Sequence, residues 1–374
     1  MCPATPAGAA PLPPPSAEIG DVAPNFRLPD SRAQPFVLRN DAIAGKPVAL
    51  VFLADAGSAE AARELAAYRK IAAELAEHEV AVIAVSPDDP PGHAALKARL
   101  KLGIEFLSDP ENRLRAVYGL ASDPAPVTFL LGPAQRILEI FDDGEAGRHA
   151  GLVLEAAQRI KASRPVRHME PHAPVLLVPD VLSRPECRRL IALWERQDVP
   201  VKTGADYREE RGDFKMAVND YGRVDRVDYI IQDRETQRFI DSRLGRRLIP
   251  EIAKAFQYRV TNRELFHIAG YEGTRGGFQH GHRDNPTPEL AHRRFALSLN
   301  LNAEEYEGGE LRFREYGEQL YKAPTGAALV FSSSLLHEVL GVRKGRRFTL
   351  LSHLFGNDGP PAQPTGTGTI QRPA

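Results

Sequence analysis

The sequence lacks the residues and segments that define several classes of protein. Cysteine occurs only twice in 374 residues, which argues against a disulfide scaffold or a thiolate zinc cluster. Lysine and arginine number 48 against 49 acidic residues, a balance that is not typical of proteins that bind nucleic acid or anionic membranes. No apolar run approaches the length of a membrane span. We expect a small-molecule or protein substrate, and any metal must be held by histidine and carboxylate.

Composition divides the chain into two folded regions. The opening stretch MCPATPAGAAPLPPPSA has neither a basic start nor a continuous apolar core, so we expect a soluble, cytoplasmic protein. Residues 1–17 and 357–374 have the composition of disordered tails. Residues 164–174 mix proline with charge, which is typical of a linker. The predicted domains are residues 18–163 and 175–356.

The first predicted domain alternates strands with helices. The apolar runs VALVFL (48–53) and VAVIAVS (80–86) are typical of buried strands, and an alanine-, glutamate- and leucine-rich helix lies between them (59–77). Further along, VTFLL and RILEIF predict a strand pair, and AGLVLEAAQRIKA predicts a closing helix. The order β-α-β-α-β-β-α indicates an α/β fold.

This half resembles the peroxiredoxin branch of the thioredoxin-like family. IGDVAPNFRLPD is similar to that family's opening segment, and PVALVFLADAGSAEAAREL is similar to its active-site strand and helix. At the positions that match the family's proline, threonine and peroxidatic cysteine, this chain has Ala54, Ser58 and Ala61. Without a thiolate we expect neither peroxide reduction nor disulfide exchange. The resemblance implies a catalytically silent domain for docking, scaffolding or homodimer formation, with a cis-proline at Pro126.

The second half begins with a helix and continues with short strands. Ser183 and Glu186 have capping-box spacing, and Cys187 opens the apolar stripe that follows, so it is predicted to be a core residue. RFALSLNLN, EGGELRF, GAALVF and RFTLLSHLF alternate apolar with polar residues between glycine-containing turns. This pattern predicts a small double-sheet β-barrel or jelly roll behind a helical layer. Asn300 and Asn302 lie on the polar face of their strand and are expected to face outward, with cosubstrate contact as the alternative.

The heptapeptide HGHRDNP concentrates potential metal ligands. In an extended strand His280, His282 and Asp284 share one face. His337 follows His282 by 55 residues, and two imidazoles with one carboxylate form the ligand set of an oxygen-activating Fe(II) site. Arg347, ten residues after His337, offers a planar cation that can bind a carboxylate through two hydrogen bonds.

The ordered pieces HRD, RFALSLNLN, YEGGELRF, LVFSSSLLHEV and GRRFTLL resemble the prolyl 4-hydroxylase-like group of 2-oxoglutarate- and Fe(II)-dependent dioxygenases. The resemblance covers about residues 173–355 and implies a double-stranded β-helix (jelly roll) with flanking helices, so the whole chain is expected to be a two-domain α+β protein. It implies that the two histidines and the aspartate bind iron, while Arg347 and Thr349 bind the distal carboxylate of 2-oxoglutarate. Tyr271 is a further candidate cosubstrate contact, with simple packing as the alternative. The implied cofactors are Fe(II), 2-oxoglutarate, O2 and ascorbate.

The implied reaction is the decarboxylation of 2-oxoglutarate to succinate and CO2, coupled to hydroxylation of an unactivated C–H bond. The expected substrate is a peptidyl or amino-acid side chain such as proline, presented by a protein that the first domain helps to recruit. The alternative is a non-catalytic binding or redox-sensing protein built on two inactive folds.

Three local features leave more than one interpretation open. His280 is either a metal ligand or a neighbour of the ligands, and His353 is either a pocket residue or a core histidine. Relative to the family pattern, one extra residue separates Phe278 from His282, which predicts a β-bulge or a shifted register. The charged segment 202–233 lacks a core pattern and is either a solvated excursion or a lid that closes over the substrate.

Overall fold

The structure is a computed structural model that describes residues 17–39, 43–101, 103–120, 125–162, 168, 171–203, 212–220, 224–358 and 368–369. The chain divides into two compact units between Arg167 and His168. Most of the tails and of the linker lie outside the described residues, so their bounds stay predictions. Among the described residues, no helix combines the length and apolarity that crossing a membrane requires.

The first unit is an α/β sandwich, as the alternating pattern predicts. Its strands are β1 (Arg27–Pro29), β2 (Pro35–Val37), β3 (Val48–Phe52), β4 (Ala81–Ser86), β5 (Glu105–Ser108), β6 (Val127–Leu131) and β7 (Ile137–Phe141). Its helices are α1 (Ala59–Lys70), α2 (Ala72–Glu77), α3 (Pro90–Leu100), α4 (Arg113–Val117) and α5 (His149–Ala162). The main sheet has the order β5-β4-β3-β6-β7, with β3, β4 and β5 parallel and the other pairs antiparallel.

Both faces of this sheet are covered, which explains why β3 and β6 are apolar at nearly every position. One core joins the sheet to α1, α2, α3 and α5, and the other packs it against α4 and the N-terminal hairpin. Helix α1 begins after Ser58, whose side chain accepts a hydrogen bond from the backbone N–H of Ala61. The expected cis-proline at Pro126 is wrong, because the described residues contain no cis peptide bond; the trans form is the more stable one for most X-Pro bonds.

Within the described residues, the second unit is a curled, almost entirely antiparallel sheet with three α-helices. Its helices are α6 (Arg184–Glu195), α7 (Arg234–Arg247) and α8 (Ile249–Phe256). Its strands are β8 (Leu176–Val178), β9 (Val201–Thr203), β10 (Phe214–Asp220), β11 (Val224–Ile231), β12 (Asn262–Arg263), β13 (Phe266–Glu272), β14 (Gln279–His282), β15 (Phe295–Asn300), β16 (Tyr306–Gly308), β17 (Leu311–Arg312), β18 (Leu320–Tyr321), β19 (Ala328–Ser332), β20 (His337–Val339), β21 (Val342–Phe355) and β22 (Gly368–Thr369). The architecture is the predicted jelly roll.

The long strand β21 organises this unit. It pairs with β13 on one side and with β15 on the other, in the order β18-β17-β20-β14-β11-β13-β21-β15-β19-β8. Because successive side chains point to opposite faces, Phe348 and Leu350 pack with the helical layer while Arg347, Leu351 and His353 point inside the jelly roll. Because side chains alternate along β21, Arg347 and His353 both lie inside the jelly roll.

The start of the second unit follows the sequence prediction closely. Ser183 and Glu186 form the expected capping box at α6, and Cys187 is fully buried in the core. The outward orientation expected for Asn300 and Asn302 is wrong, since both side chains are buried. Asn300 donates to the hydroxyl of Tyr306 and Asn302 donates to a backbone carbonyl, because the sheet curls so far that both faces of β15 are covered.

The lid interpretation of segment 202–233 is wrong for most of its described part. Residues 214–220 and 224–231 are β10 and β11, and β11 pairs directly with β13 in the sheet. Tyr229, Ile230 and Ile231 are buried there. The high charge of the segment concealed a strand whose polar residues are paired inside the fold. Residues 204–211 and 221–223 lie outside the described part.

Candidate active site

Two neighbouring strands bring the predicted ligands together. β14 runs antiparallel to β20, and their register sets His282 directly opposite His337. The register is irregular between Gln279 and His282, where the sequence predicted a bulge. Asp284 follows β14 and is held by its backbone N–H, which donates to the carbonyl of Ser333 at 2.9 Å. The strand pairing thus converts a separation of 55 residues in sequence into side-chain contact.

The two imidazoles and the carboxylate form a compact cluster. One ligand atom from each of His282, Asp284 and His337 can be chosen so that all three lie within 4.8 Å of one another. Nε2 of His282 lies 3.4 Å from Oδ1 of Asp284, and Nε2 of His337 lies 3.7 Å from Oδ2. A single ion can therefore contact all three side chains.

The other nitrogen of each imidazole is held by the backbone. Nδ1 of His282 lies 2.9 Å from the carbonyl oxygen of His280, and Nδ1 of His337 lies 3.0 Å from that of Leu335. A carbonyl oxygen only accepts, so both Nδ1 atoms donate, and in a neutral imidazole this leaves the lone pair on Nε2. This is the tautomer that a metal site requires.

The pKa shifts of Asp284 and His337 also favour metal binding. Burial by itself would raise the pKa of Asp284, but contacts with His282, His353 and His337 outweigh it and hold this pKa well below its ordinary value. Burial lowers the pKa of His337, and the nearby Asp284 opposes this only in part. The site therefore presents a charged carboxylate beside a neutral imidazole, which is how these groups bind metals.

Arg347 forms a second, separate feature of the same cavity. It lies opposite Tyr271 in the β13–β21 register, and its guanidinium carbon lies 4.9 Å from the centroid of the Tyr271 ring. The residue is 4% exposed, and one guanidinium nitrogen contacts the hydroxyl of Ser298 at 3.5 Å. Its Nε and Nη1 atoms have no hydrogen-bond partner although they are buried. Unpaired buried donors of a permanent cation mark the place of an anion.

Two other residues named from the sequence have different surroundings. Tyr271 lines the cavity, and its hydroxyl accepts a hydrogen bond of 3.1 Å from Arg226. Thr349 does not line the cavity: its hydroxyl donates to the carbonyl of Leu299 at 3.0 Å and contacts Ser298 at 3.3 Å. Thr349 can therefore affect Arg347 only through Ser298.

The sequence reasoning missed a buried ion pair in the cavity wall. Arg226 and Asp228 lie on β11, inside the segment that was interpreted as a lid, with Nε to Oδ1 at 2.9 Å. Burial alone would raise the pKa of Asp228, but Arg226 and His267 lower it overall. Arg226 also donates to the side chain of Gln279 at 2.6 Å. The alternation in VDRVDYII was the available signal for this strand.

His280 and His353, for which the sequence allowed two interpretations each, have different surroundings. His280 is exposed, its ring packs against Phe278, and it does not line the cavity. His353 lines the cavity and lies between two carboxylates, with Nε2 3.5 Å from Oδ2 of Asp284 and Nδ1 3.1 Å from Oε2 of Glu264. Burial by itself lowers the pKa of His353, but these two contacts raise it overall.

Comparisons with known proteins agree with both units. Residues 19–140 match the model of the AhpC/TSA family, and residues 266–354 match that of the 2OG-Fe(II) oxygenase superfamily. A putative peroxiredoxin bcp of Coxiella burnetii is 30% identical over 108 residues, which cover 29% of this chain and 70% of the relative. A PKHD-type hydroxylase of Synechococcus is 28% identical over 191 residues, covering 48% of this chain and 76% of the relative. The peroxidoxin BcpB structure from Mycobacterium tuberculosis is 24% identical, with a TM-score of 0.36, and covers 38% of this chain and 98% of its own.

The fold and the site define a thioredoxin-fold unit joined to a jelly-roll oxygenase unit. The chain belongs to the AhpC/TSA family in its first unit, and its second unit matches the model of the 2OG-Fe(II) oxygenase superfamily. The first unit lacks the peroxidatic cysteine, since Ala61 stands at that position. The second unit is a dioxygenase domain, and its superfamily uses Fe(II), 2-oxoglutarate and O2.

Proposed function

We propose that this protein is a 2-oxoglutarate- and Fe(II)-dependent hydroxylase of a peptidyl or amino-acid side chain. The observation that carries the proposal is the presence, in one cavity, of two imidazoles and a carboxylate within 4.8 Å of one another together with a buried, unpaired guanidinium. A binding protein without catalytic activity would not need both the cluster of imidazoles and carboxylate and the buried guanidinium.

The residues fit the iron and the cosubstrate on chemical grounds. His282, Asp284 and His337 supply the two nitrogens and one oxygen that leave positions open on Fe(II). The unpaired N–H groups of Arg347 can donate to a carboxylate, and Tyr271 packs against the guanidinium face. We therefore assign Arg347 to the distal carboxylate of 2-oxoglutarate, with Ser298 steadying the guanidinium.

Bound ferrous iron supplies the oxygen chemistry, in which one O2 converts 2-oxoglutarate to succinate and CO2 and hydroxylates one C–H bond. The chain's own residues orient the cosubstrate and exclude water from the cavity. The walls formed by Leu311, Phe331, Val339 and Leu351 are apolar, so a reactive centre enclosed there is protected from solvent.

Charge in the cavity limits the substrate. We assign Arg347 to the cosubstrate. The charge of Arg226 is already neutralised by Asp228, with Nε 2.9 Å from Oδ1 and Nη2 3.0 Å from Oδ2. Among the described lining residues, neither arginine therefore leaves a positive charge for an anionic substrate group. We infer that the group to be hydroxylated is neutral and aliphatic, as in a proline side chain.

We propose that the first unit recruits the partner that carries this side chain or forms a homodimer. Its bounds, 18–163, and those of the oxygenase unit, 175–356, are part of the proposal. The first unit keeps a complete core around the position of the missing thiol, where Ala61 is 1% exposed. A stable fold without its nucleophile is suited to docking.

The test is succinate formation from 2-oxoglutarate by the full-length protein with Fe(II), ascorbate and O2. We expect slow turnover without substrate, stimulation by some members of a proline-containing peptide library, and a gain of 16 Da on the stimulated peptide. A His282→Ala variant is the matched negative control. Equal succinate formation by the wild type and this variant would refute the assignment, and none in either under all conditions would favour the non-catalytic alternative.

A further inference from the structure

A third carboxylate, Glu264, lies behind the proposed metal ligands. The imidazole of His353 fills the space between it and Asp284, with one ring nitrogen toward each carboxylate at 3.1 and 3.5 Å. Nδ1 is within hydrogen-bond distance of Glu264, and Nε2 faces the carboxylate of Asp284. His353 therefore links the two acidic side chains directly.

Glu264 is held rigidly in its turn. Arg293 binds it through both carboxylate oxygens, with Nε to Oε1 at 2.7 Å and Nη2 to Oε2 at 2.8 Å, and His292 contacts Oε1 at 2.8 Å. The remaining nitrogen of Arg293 donates to the backbone carbonyl of Asp284 at 2.9 Å. The backbone N–H of Glu264 donates to the carbonyl of His353 at 3.0 Å. One connected network thus fixes both the backbone and the carboxylate of Asp284.

This network limits the rotation of the Asp284 carboxylate about its last side-chain bond. Rotation of a carboxylate about its last bond is soft, so a free aspartate can bind an ion through one oxygen or through two. A contact on Oδ2 limits that rotation and leaves the oxygen nearer His282 in a defined position. Because Glu264 holds the ring from its other side, we expect the pair to limit the orientation of the Asp284 carboxylate.

We propose that His353, held by Glu264, is a positioning residue that orients the Asp284 carboxylate toward the metal ion shared with His282 and His337. The inference rests on the proposed function. His353 is not assigned as a fourth ligand, since the group of described residues whose ligand atoms lie mutually within 4.8 Å contains the other three alone.

The experiment measures the affinity of the full-length protein for Mn(II) alone, by titration calorimetry without O2 or 2-oxoglutarate. His353→Phe keeps a ring of similar size but removes both donors, and we expect Mn(II) binding to weaken about 10- to 100-fold, as for other residues that orient metal ligands. His353→Gln can keep one N–H toward Asp284 and should recover most of the affinity. Recovery by Gln is not expected if the residue only fills space.

Glu264→Gln tests whether Glu264 holds His353 in place, and it remains informative if the phenylalanine variant does not fold. It should weaken Mn(II) binding, and combined with His353→Phe the total loss should be clearly smaller than the sum of the two single losses, because much of the effect of Glu264 passes through the imidazole. Glu307→Gln is the control, as this carboxylate is 61% exposed and pairs with Lys344 at the surface. Additive losses in the double variant would overturn the proposed path.

Co(II) gives a second readout that does not depend on turnover. We expect the visible spectrum of the Co(II) protein to change in His353→Phe and to return toward the wild type in His353→Gln, because the spectrum reports coordination geometry. If His353→Phe kept the wild-type affinity and spectrum while His282→Ala lost Mn(II) binding, the positioning role of His353 would be refuted but the metal site would not. Wild-type affinity in His282→Ala as well would refute the metal site and with it the proposed function.

Discussion

Replacing Arg347 by methionine is the most informative change, because its effects on binding and on stability should have different signs. Methionine keeps much of the length and apolar surface of the side chain but removes the cation. In the absence of ligand, the guanidinium is buried with two unpaired donors, an arrangement that costs about 1–3 kcal/mol per unsatisfied group. Its contact with the Tyr271 ring returns about 0.5–2 kcal/mol. The ligand-free variant should therefore be at least as stable as the wild type.

Binding of 2-oxoglutarate should respond strongly. Removing one partner of a buried, hydrogen-bonded charge pair costs about 2–5 kcal/mol, which corresponds to a loss of affinity of roughly 30-fold to several thousand-fold. At a ligand concentration 100 times the wild-type Kd, the wild type should gain about 2.7 kcal/mol of stability, whereas Arg347→Met should gain less than about 1 kcal/mol.

The assay can be confined to the second unit. Trp194 is the only tryptophan in the sequence, and it packs 5.1 Å from Phe348, next to Arg347 on β21. Its fluorescence in urea therefore reports the unfolding of the oxygenase unit, with and without Mn(II) and 2-oxoglutarate. Arg343→Met, an exposed arginine on the same strand, is the control. If Arg347→Met kept its 2-oxoglutarate affinity within about threefold, or lost several kcal/mol without ligand, the reasoning would be refuted.

Three further predictions concern other parts of the chain. Burial raises the pKa of the Cys187 thiol to about 12, so a Cys2→Ser variant should not react with a thiol reagent at pH 8 until it is unfolded; rapid reaction of the native protein would contradict this. Asp228→Asn leaves Arg226 buried without its carboxylate and should destabilise the second unit by about 3–5 kcal/mol in urea. Since the pKa of Asp228 is lowered from 3.8, its contribution is present above that pH and disappears on acidification, so the wild type and the variant should converge in acid. With Ala61 in place of the nucleophile, the protein should not consume peroxide in the presence of dithiothreitol, and a measurable rate would contradict a catalytically silent first unit.

Short-range patterns were sufficient for much of the architecture. The apolar runs at β3, β4 and β6 predicted buried strands because a sheet covered on both faces needs apolar side chains at consecutive positions. Ser183 and Glu186 predicted the start of α6 because a capping box depends only on residues three apart. These features are encoded within a few residues and do not need the rest of the fold.

Errors arose where burial depends on how the sheet curls. Asn300 lies on a strand with a clear polar face, yet it is buried because the jelly roll closes over that face. Arg226 and Asp228 belong to a segment whose charge suggested solvent exposure, but the two charges neutralise each other inside the fold. Pairing across strands is invisible in a local window, so polar residues with buried partners were misjudged.

The sequence by itself determined which chemical groups are available: two imidazoles and a carboxylate in HGHRDNP and at His337, a guanidinium ten residues later, and no thiol in the first core. Alternation also determined that Arg347 and His353 share a face of β21. Tertiary structure alone decided that β14 and β20 pair with His282 opposite His337, that two nitrogens of the Arg347 guanidinium are left without a hydrogen-bond partner, and that Glu264 reaches Asp284 through His353. The physical reason is that these contacts depend on strand register and on the closure of the sheet, which long-range packing sets.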